Sequence, residues 1–156
     1  MFFWRVFLRV LIINGPNLNL LGQREPEHYG KQTLDQLKLD TEKQVSQISK
    51  EIKLTWMQSN IEGEIVTMIQ NACGKYDGIV INPGGYSHTS VSILDSLKIF
   101  NGLKVEVHLS RVSLRGDSFR QNLITAQGVD ILLEGLSDLA YFIGVFTIYK
   151  RIRLEG

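Results

Sequence analysis

Short apolar runs alternate along the chain with segments whose apolar residues recur every three or four positions, a pattern that predicts strands separated by helices. Val6 to Ile13 predicts a first strand, and the polar stretch from Asn14 to Gln32 a long loop. From Thr33, a good N-cap, Leu34, Leu37, Thr41, Val45 and Ile48 follow at helical spacing to about Lys50. Ile52 to Gln58 predicts a second strand. Ser59 and Asn60 then offer caps for a helix that carries Ile65, Met68, Ile69 and Ala72 and ends near Gly74. Gly78 to Ile81 is short, continuous and β-branched, as expected of a strand covered on both faces. Beyond Asn82-Pro83-Gly84-Gly85, the pattern predicts a helix over Thr89 to Phe100 and strands over Lys104 to Leu109 and Val129 to Leu133. A closing helix runs from Leu136 to about Arg151. Alternation of this kind predicts an α/β fold with right-handed crossovers. Its simplest form is a flavodoxin-like three-layer sandwich around a five-stranded parallel sheet, order 2-1-3-4-5. Tyr141, Phe142, Val145 and Phe146 form an apolar stripe suited to assembly or to the core.

Composition narrows the picture without redirecting it. The 156 residues show no boundary and no repeat, so one domain over residues 1–156 is expected, large enough to bury a core unaided. Met1 to Ile13 is apolar but too short to span a bilayer, and reads as the extended first strand. A net charge of +1 gives no electrostatic footprint for nucleic acid or an anionic membrane. The single cysteine, Cys73, excludes an internal disulfide, fits a cytoplasmic protein and reads as a small buried hydrophobe.

In open α/β sheets ligands bind beyond the carboxyl ends of the strands. Strand one delivers Asn14 and Asn17 there, strand two Ser59 and Asn60, strand three Asn82 with His88, and strand four Glu106, His108 and Ser110, all four toward one crevice. Each residue alone is as well explained by turns and caps; their joint placement is the signal. Neither G-x-G-x-x-G nor a P-loop occurs, and the three histidines lack metal-ligand spacing, so no cofactor and no metal are expected. Ser87 beside His88 is the nearest approach to a hydrolytic pair, without a G-x-S-x-G elbow.

Four blocks carry a more specific signal. They are Ile13-Asn14-Gly15-Pro16-Asn17-Leu18-Asn19-Leu20-Leu21-Gly22 with Arg24-Glu25-Pro26 and Tyr29-Gly30; Gln58-Ser59-Asn60 with Glu62-Gly63-Glu64; Asn82 to Val91; and Glu106-Val107-His108-Leu109-Ser110. In order and spacing they resemble the signature blocks of type II 3-dehydroquinate dehydratases. The resemblance implies conversion of 3-dehydroquinate to 3-dehydroshikimate by anti elimination through an enolate, in the shikimate or quinate degradation pathway. It implies Tyr29 as base, Arg24 as the cation that favours its phenolate, Asn17 as enolate stabiliser, and His108 as general acid held by Glu106. The chemistry is consistent: an ordinary phenol is protonated at neutral pH, and a neighbouring guanidinium favours its ionised form. Asn82, Leu109 and Ser110 resemble the substrate-carboxylate site, and His88 and Arg120 the contacts to ring hydroxyls. Asp95 resembles a residue that reaches a neighbouring subunit's site, in a trimer-based dodecamer. Arg24 and Tyr29 lie in a loop that would act as a lid.

Departures from the family pattern cluster after Ser110. Leu94 stands where the family often has Arg, and the run Arg111 to Leu123 has one extra residue, so that Arg115 competes with Arg120 for the binding role. The alternatives from other classes are a flavin- or nucleotide-binding module of the same fold and an inactive structural homologue.

Overall fold

The computed structural model describes residues 7–23 and 31–154. Its centre is β1 (Leu8–Asn14), which pairs in parallel with β2 (Ile52–Gln58) on one edge and β3 (Gly78–Asn82) on the other. Then come β4 (Leu103–His108) and β5 (Ile131–Glu134), completing the expected order 2-1-3-4-5.

The sheet is buried on both sides, which is why β1 and β3 read as unbroken apolar runs. Val10 and Ile12 join Val80, Val105 and Val107 on one face, whereas Leu11 and Ile13 join Ile79 and Ile81 on the other. The first face is covered by α1 (Leu34–Ile48) and α4 (Ala140–Leu154), through Leu37, Val45, Tyr141, Val145 and Ile148. The second is covered by α2 (Glu62–Ala72) and α3 (Val91–Ile99), through Ile65, Ile69, Ala72, Ile93 and Leu97. Each such fully buried aliphatic side chain stabilises the fold by about 1.5–3 kcal/mol relative to exposure. Among the described residues no helix is long and apolar enough to cross a membrane.

Thr33 caps α1 as expected: its hydroxyl accepts from the Gln36 amide at 3.2 Å, and the Gln36 side chain accepts from the Thr33 amide at 2.9 Å. Elsewhere short 3-10 turns displace the predicted boundaries. Gly84–His88 forms one, so α3 starts at Val91 under a Ser90 cap rather than at Thr89. Turns at Thr125–Gly128 and Ser137–Leu139 likewise delay β5 and α4. Ser59 and Asn60 are not the N-cap of α2; Ile61 is, while the Ser59 hydroxyl receives the Ile61 amide and donates to Glu64.

Cys73 is exposed rather than buried, because it follows the last turn of α2 and Ala72 takes the core position. The 141–146 stripe divides. Tyr141 and Val145 are core, whereas Phe142 and Phe146 are half-buried and stack with ring centroids 6.0 Å apart. The predicted strand start at Val6 lies outside the described residues.

Candidate active site

A cleft of about 140 Å³ opens at the carboxyl ends of β1, β3 and β4, beside the point where strand order reverses between β1 and β3. Its lining includes Asn17, Asn82, His88, His108, Leu109, Ser110, Arg115 and Arg120. A wider hollow of about 680 Å³ lies against α2, lined by Met57, Ile61, Glu64 and Lys75 among others. Volume does not decide between them. The smaller cleft gathers imidazoles, guanidiniums and amides from three strand ends, and the larger gathers none from β3 or β4.

The floor of the cleft is made where the loops after β1 and β3 meet. The Gly15 amide donates to the Asn82 carbonyl at 2.8 Å, and a Cβ at Gly15 would stand 2.5 Å from the Pro83 carbonyl oxygen. Only glycine permits that approach. Asn17 follows in the left-handed region, φ 68°, which asparagine tolerates better than other side-chain-bearing residues. Its amide donates to Asn60 Oδ1 at 3.0 Å, and Gln58 donates to the same oxygen at 3.0 Å and to the Gly15 carbonyl at 3.3 Å. The β2 end thus braces the Asn17 loop from behind. Ser59 and Asn60 do not line the cleft, so three strand ends build it rather than the expected four.

Asn82 sits at the end of β3 in a chain of bonds with a fixed direction. The Tyr141 hydroxyl donates its one hydrogen to Asn14 Oδ1 at 2.5 Å, and Asn14 Nδ2 donates to the Met57 carbonyl at 3.3 Å. Tyr141 can therefore only accept from Asn82, whose Nδ2 lies 3.4 Å away. Asn82 Oδ1 in turn accepts from the Gly84 amide at 3.2 Å, with Gly84 at φ +58°. The Asn82 amide keeps one N–H free to donate to a ligand. Burial in the core pushes the Tyr141 phenol well above its ordinary range, against a smaller opposing effect of Asn82.

Two outcomes follow for Tyr141→Phe. The buried Asn14 oxygen loses its donor and the Asn82 amide loses an acceptor, so urea unfolding should show a loss of about 1–3 kcal/mol. A phenol raised in the folded state favours folding below about pH 10, its ordinary value, and that contribution is lost as pH rises toward the folded value. Wild type should thus lose stability above pH 10 more steeply than the phenylalanine variant; equal slopes would contradict the buried hydroxyl's part.

At the end of β4, Glu106 is fully buried and His108 is 4% exposed. Glu106 Oε1 lies 2.7 Å from His108 Nε2, and Glu106 Oε2 accepts from the Thr125 hydroxyl at 2.7 Å. A carboxylate can only accept, so Nε2 carries its proton toward Glu106, leaving Nδ1 as the other ring nitrogen of a residue that lines the cleft. Arg115 donates to Ser110 Oγ at 2.8 Å. Arg120 pairs with Asp117 at 3.0 Å and lies over the Phe119 ring. Both arginines reach the cleft, so the two candidates for the binding role stand there together. His88 Nδ1 is 3.0 Å from the Asn122 carbonyl, which ties that ring to the same loop.

Of the residues singled out in the sequence, Asn17, Asn82, His88, His108, Leu109, Ser110 and Arg120 line one cleft, with Glu106 directly behind His108. Asp95 does not join them. It is exposed on α3, one turn from exposed Val91 and one from exposed Ile99. Leu94 is buried against Gly128 of the same chain. Ser87 is fully buried and absent from the lining, which removes the hydrolytic pair. Arg24 and Tyr29 lie outside the described residues. Tyr141 and Thr125 were not singled out by sequence for the site. For Tyr141 the available signal was its place in an apolar stripe that could be core, since a buried phenol needs a polar partner.

The family model described as dehydroquinase class II matches residues 8–149. The chain is 45% identical to the 3-dehydroquinate dehydratase of Bartonella tribocorum, over 92% of this chain and 94% of that one. It is 40% identical to the enzyme of the same name from Helicobacter acinonychis, over 86% and 80%. Among solved structures, the type II dehydroquinase of Butyrivibrio crossotus superposes with a TM-score of 0.85 at 36% identity, covering 92% of this chain and 98% of that one.

Proposed function

The chain belongs to the class II dehydroquinases, and from that premise we propose that its cleft dehydrates 3-dehydroquinate to 3-dehydroshikimate by anti elimination through an enolate. The observation that carries the reading is the buried Glu106–His108 pair at the β4 end, opening on a cleft that also holds Asn17 and Asn82. A base removes the proton beside the ketone, a donor stabilises the oxyanion that forms, and an acid protonates the departing hydroxyl, which leaves as water. Tyr29, with its phenolate favoured by Arg24, is the base. Asn17 stabilises the enolate. His108 passes its Nδ1 proton to the leaving hydroxyl while Glu106 fixes the ring.

The substrate carboxylate takes the remaining Asn82 N–H and the amides of Leu109 and Ser110. That Asn82 presents a donor supports this, since an anion needs one. His88 and Arg120 meet the ring hydroxyls, and Arg115, tethered to Ser110, adds positive charge at the carboxylate end. In this reading residues 1–156 form one catalytic domain that works in the cytoplasm without a cofactor. It assembles as a trimer-based dodecamer in which Asp95 reaches a neighbour's cleft. Exposed Val91 and Ile99 flanking Asp95 support an interface on that side of α3.

Purified protein incubated with 3-dehydroquinate should produce the ultraviolet absorbance of a conjugated enone. No product at high enzyme concentration would sink the reading and leave the inactive homologue standing.

A further inference from the structure

We propose that Thr125 is a positioning residue for catalysis: its hydroxyl holds the Glu106 carboxylate, and through it the aim of His108. The inference rests on the reading of His108 as the acid. Thr125 is fully buried and does not line the cleft, so it touches no substrate. Its Oγ1 is 2.7 Å from Glu106 Oε2, and Glu106 Oε1 is 2.7 Å from His108 Nε2. Three side chains thus stand in line from the turn before β5 to the cleft.

The direction of these bonds is forced. Beside a carboxylate, a hydroxyl can only donate, so Thr125 occupies one oxygen and leaves the other for the ring. With both oxygens engaged, the carboxylate plane cannot rotate. Remove the hydroxyl and one oxygen loses its donor in a dry site, so the carboxylate rotates toward other partners and the ring loses its fixed acceptor.

Thr125 is well placed to be rigid. It is β-branched, which restricts its own rotamer. Its turn is clamped on α3, for a Cβ at Gly128 would meet Leu94 Cδ1 at 2.9 Å and Leu97 Cβ at 3.1 Å.

Thr125→Val keeps shape and removes the donor, and Thr125→Ser keeps the donor. On 3-dehydroquinate, the valine variant should lose about tenfold in kcat with KM within about twofold of wild type, and the serine variant should retain most of kcat. In nitrogen-15 spectra, the His108 ring resonances should move in the valine variant and return in the serine variant. Wild-type kcat and unmoved ring resonances in the valine variant would overturn the proposal. So would equal kcat losses in both variants, which would mark a packing role. If the valine chain does not fold, Thr125→Ala, smaller and equally without a donor, is judged by the same outcomes. Should wild type itself fail to turn over 3-dehydroquinate, the functional reading falls. The ring resonances then still decide whether Thr125 orders His108.

Discussion

His108→Gln is expected to lower kcat for dehydration of 3-dehydroquinate by about 10²–10⁴-fold, the range that a positioned general acid contributes. Glutamine is a sharper test than alanine because of what lies behind the ring. Glu106 is fully buried and is held by His108 on one oxygen and Thr125 on the other. His108→Ala would leave that carboxylate half-satisfied, and removing one partner of a buried hydrogen bond costs about 1–3 kcal/mol, more beside a charged group. Activity would then fall partly through unfolding. Glutamine can still donate an N–H to Glu106 but cannot release a proton to a leaving group. Both variants should therefore show the kcat loss, with the glutamine variant melting closer to wild type. A glutamine variant with near-full kcat would remove His108 from the role of acid.

Tyr29→Phe should produce a loss of similar size, about 10²–10⁴-fold in kcat, with KM changed far less. The substitution deletes one oxygen. If that oxygen abstracts the proton, binding survives and chemistry does not. Retention of near-full activity would refute the assignment, and a rise in KM at constant kcat would make the tyrosine a binding residue instead. The two variants also test the proposed geometry, because in an anti elimination base and acid act on opposite faces and neither replaces the other.

The fold was readable because burial on both faces leaves a plain mark in sequence. Val10 to Ile13 and Ile79 to Ile81 are unbroken apolar runs since each neighbour pair serves opposite cores. Boundaries were less readable where 3-10 turns intervene, as at Gly84–His88, since a single short turn has no period to detect. Ser59 and Asn60 have cap chemistry, yet the chain spends it on bracing the helix entry and the Asn17 loop. Cys73 falls one residue beyond the turn that would have buried it.

The site divides in the same way. Residues at strand ends could be gathered from topology alone, and Asn17, Asn82 and His108 do share the cleft. Thr125 could not, because its meeting with Glu106 depends on how residues 110–124 return across the sheet. The spacing of Tyr141 left its stripe open between assembly and core, and the partners of its hydroxyl belong to strands 59 and 127 residues away. Periodicity reports which way a side chain faces and is silent about what its polar atom finds there.

The contact between Gly15 and the Pro83 carbonyl bears on redesign. Any side chain at Gly15 collides with backbone, and the loops it joins also hold Asn17 and Asn82. A variant library aimed at other ring acids therefore gains nothing from diversity at Gly15. Arg111 to Asn122, which delivers two guanidiniums and the carbonyl that meets His88, is where altered specificity can be sought without dismantling the floor.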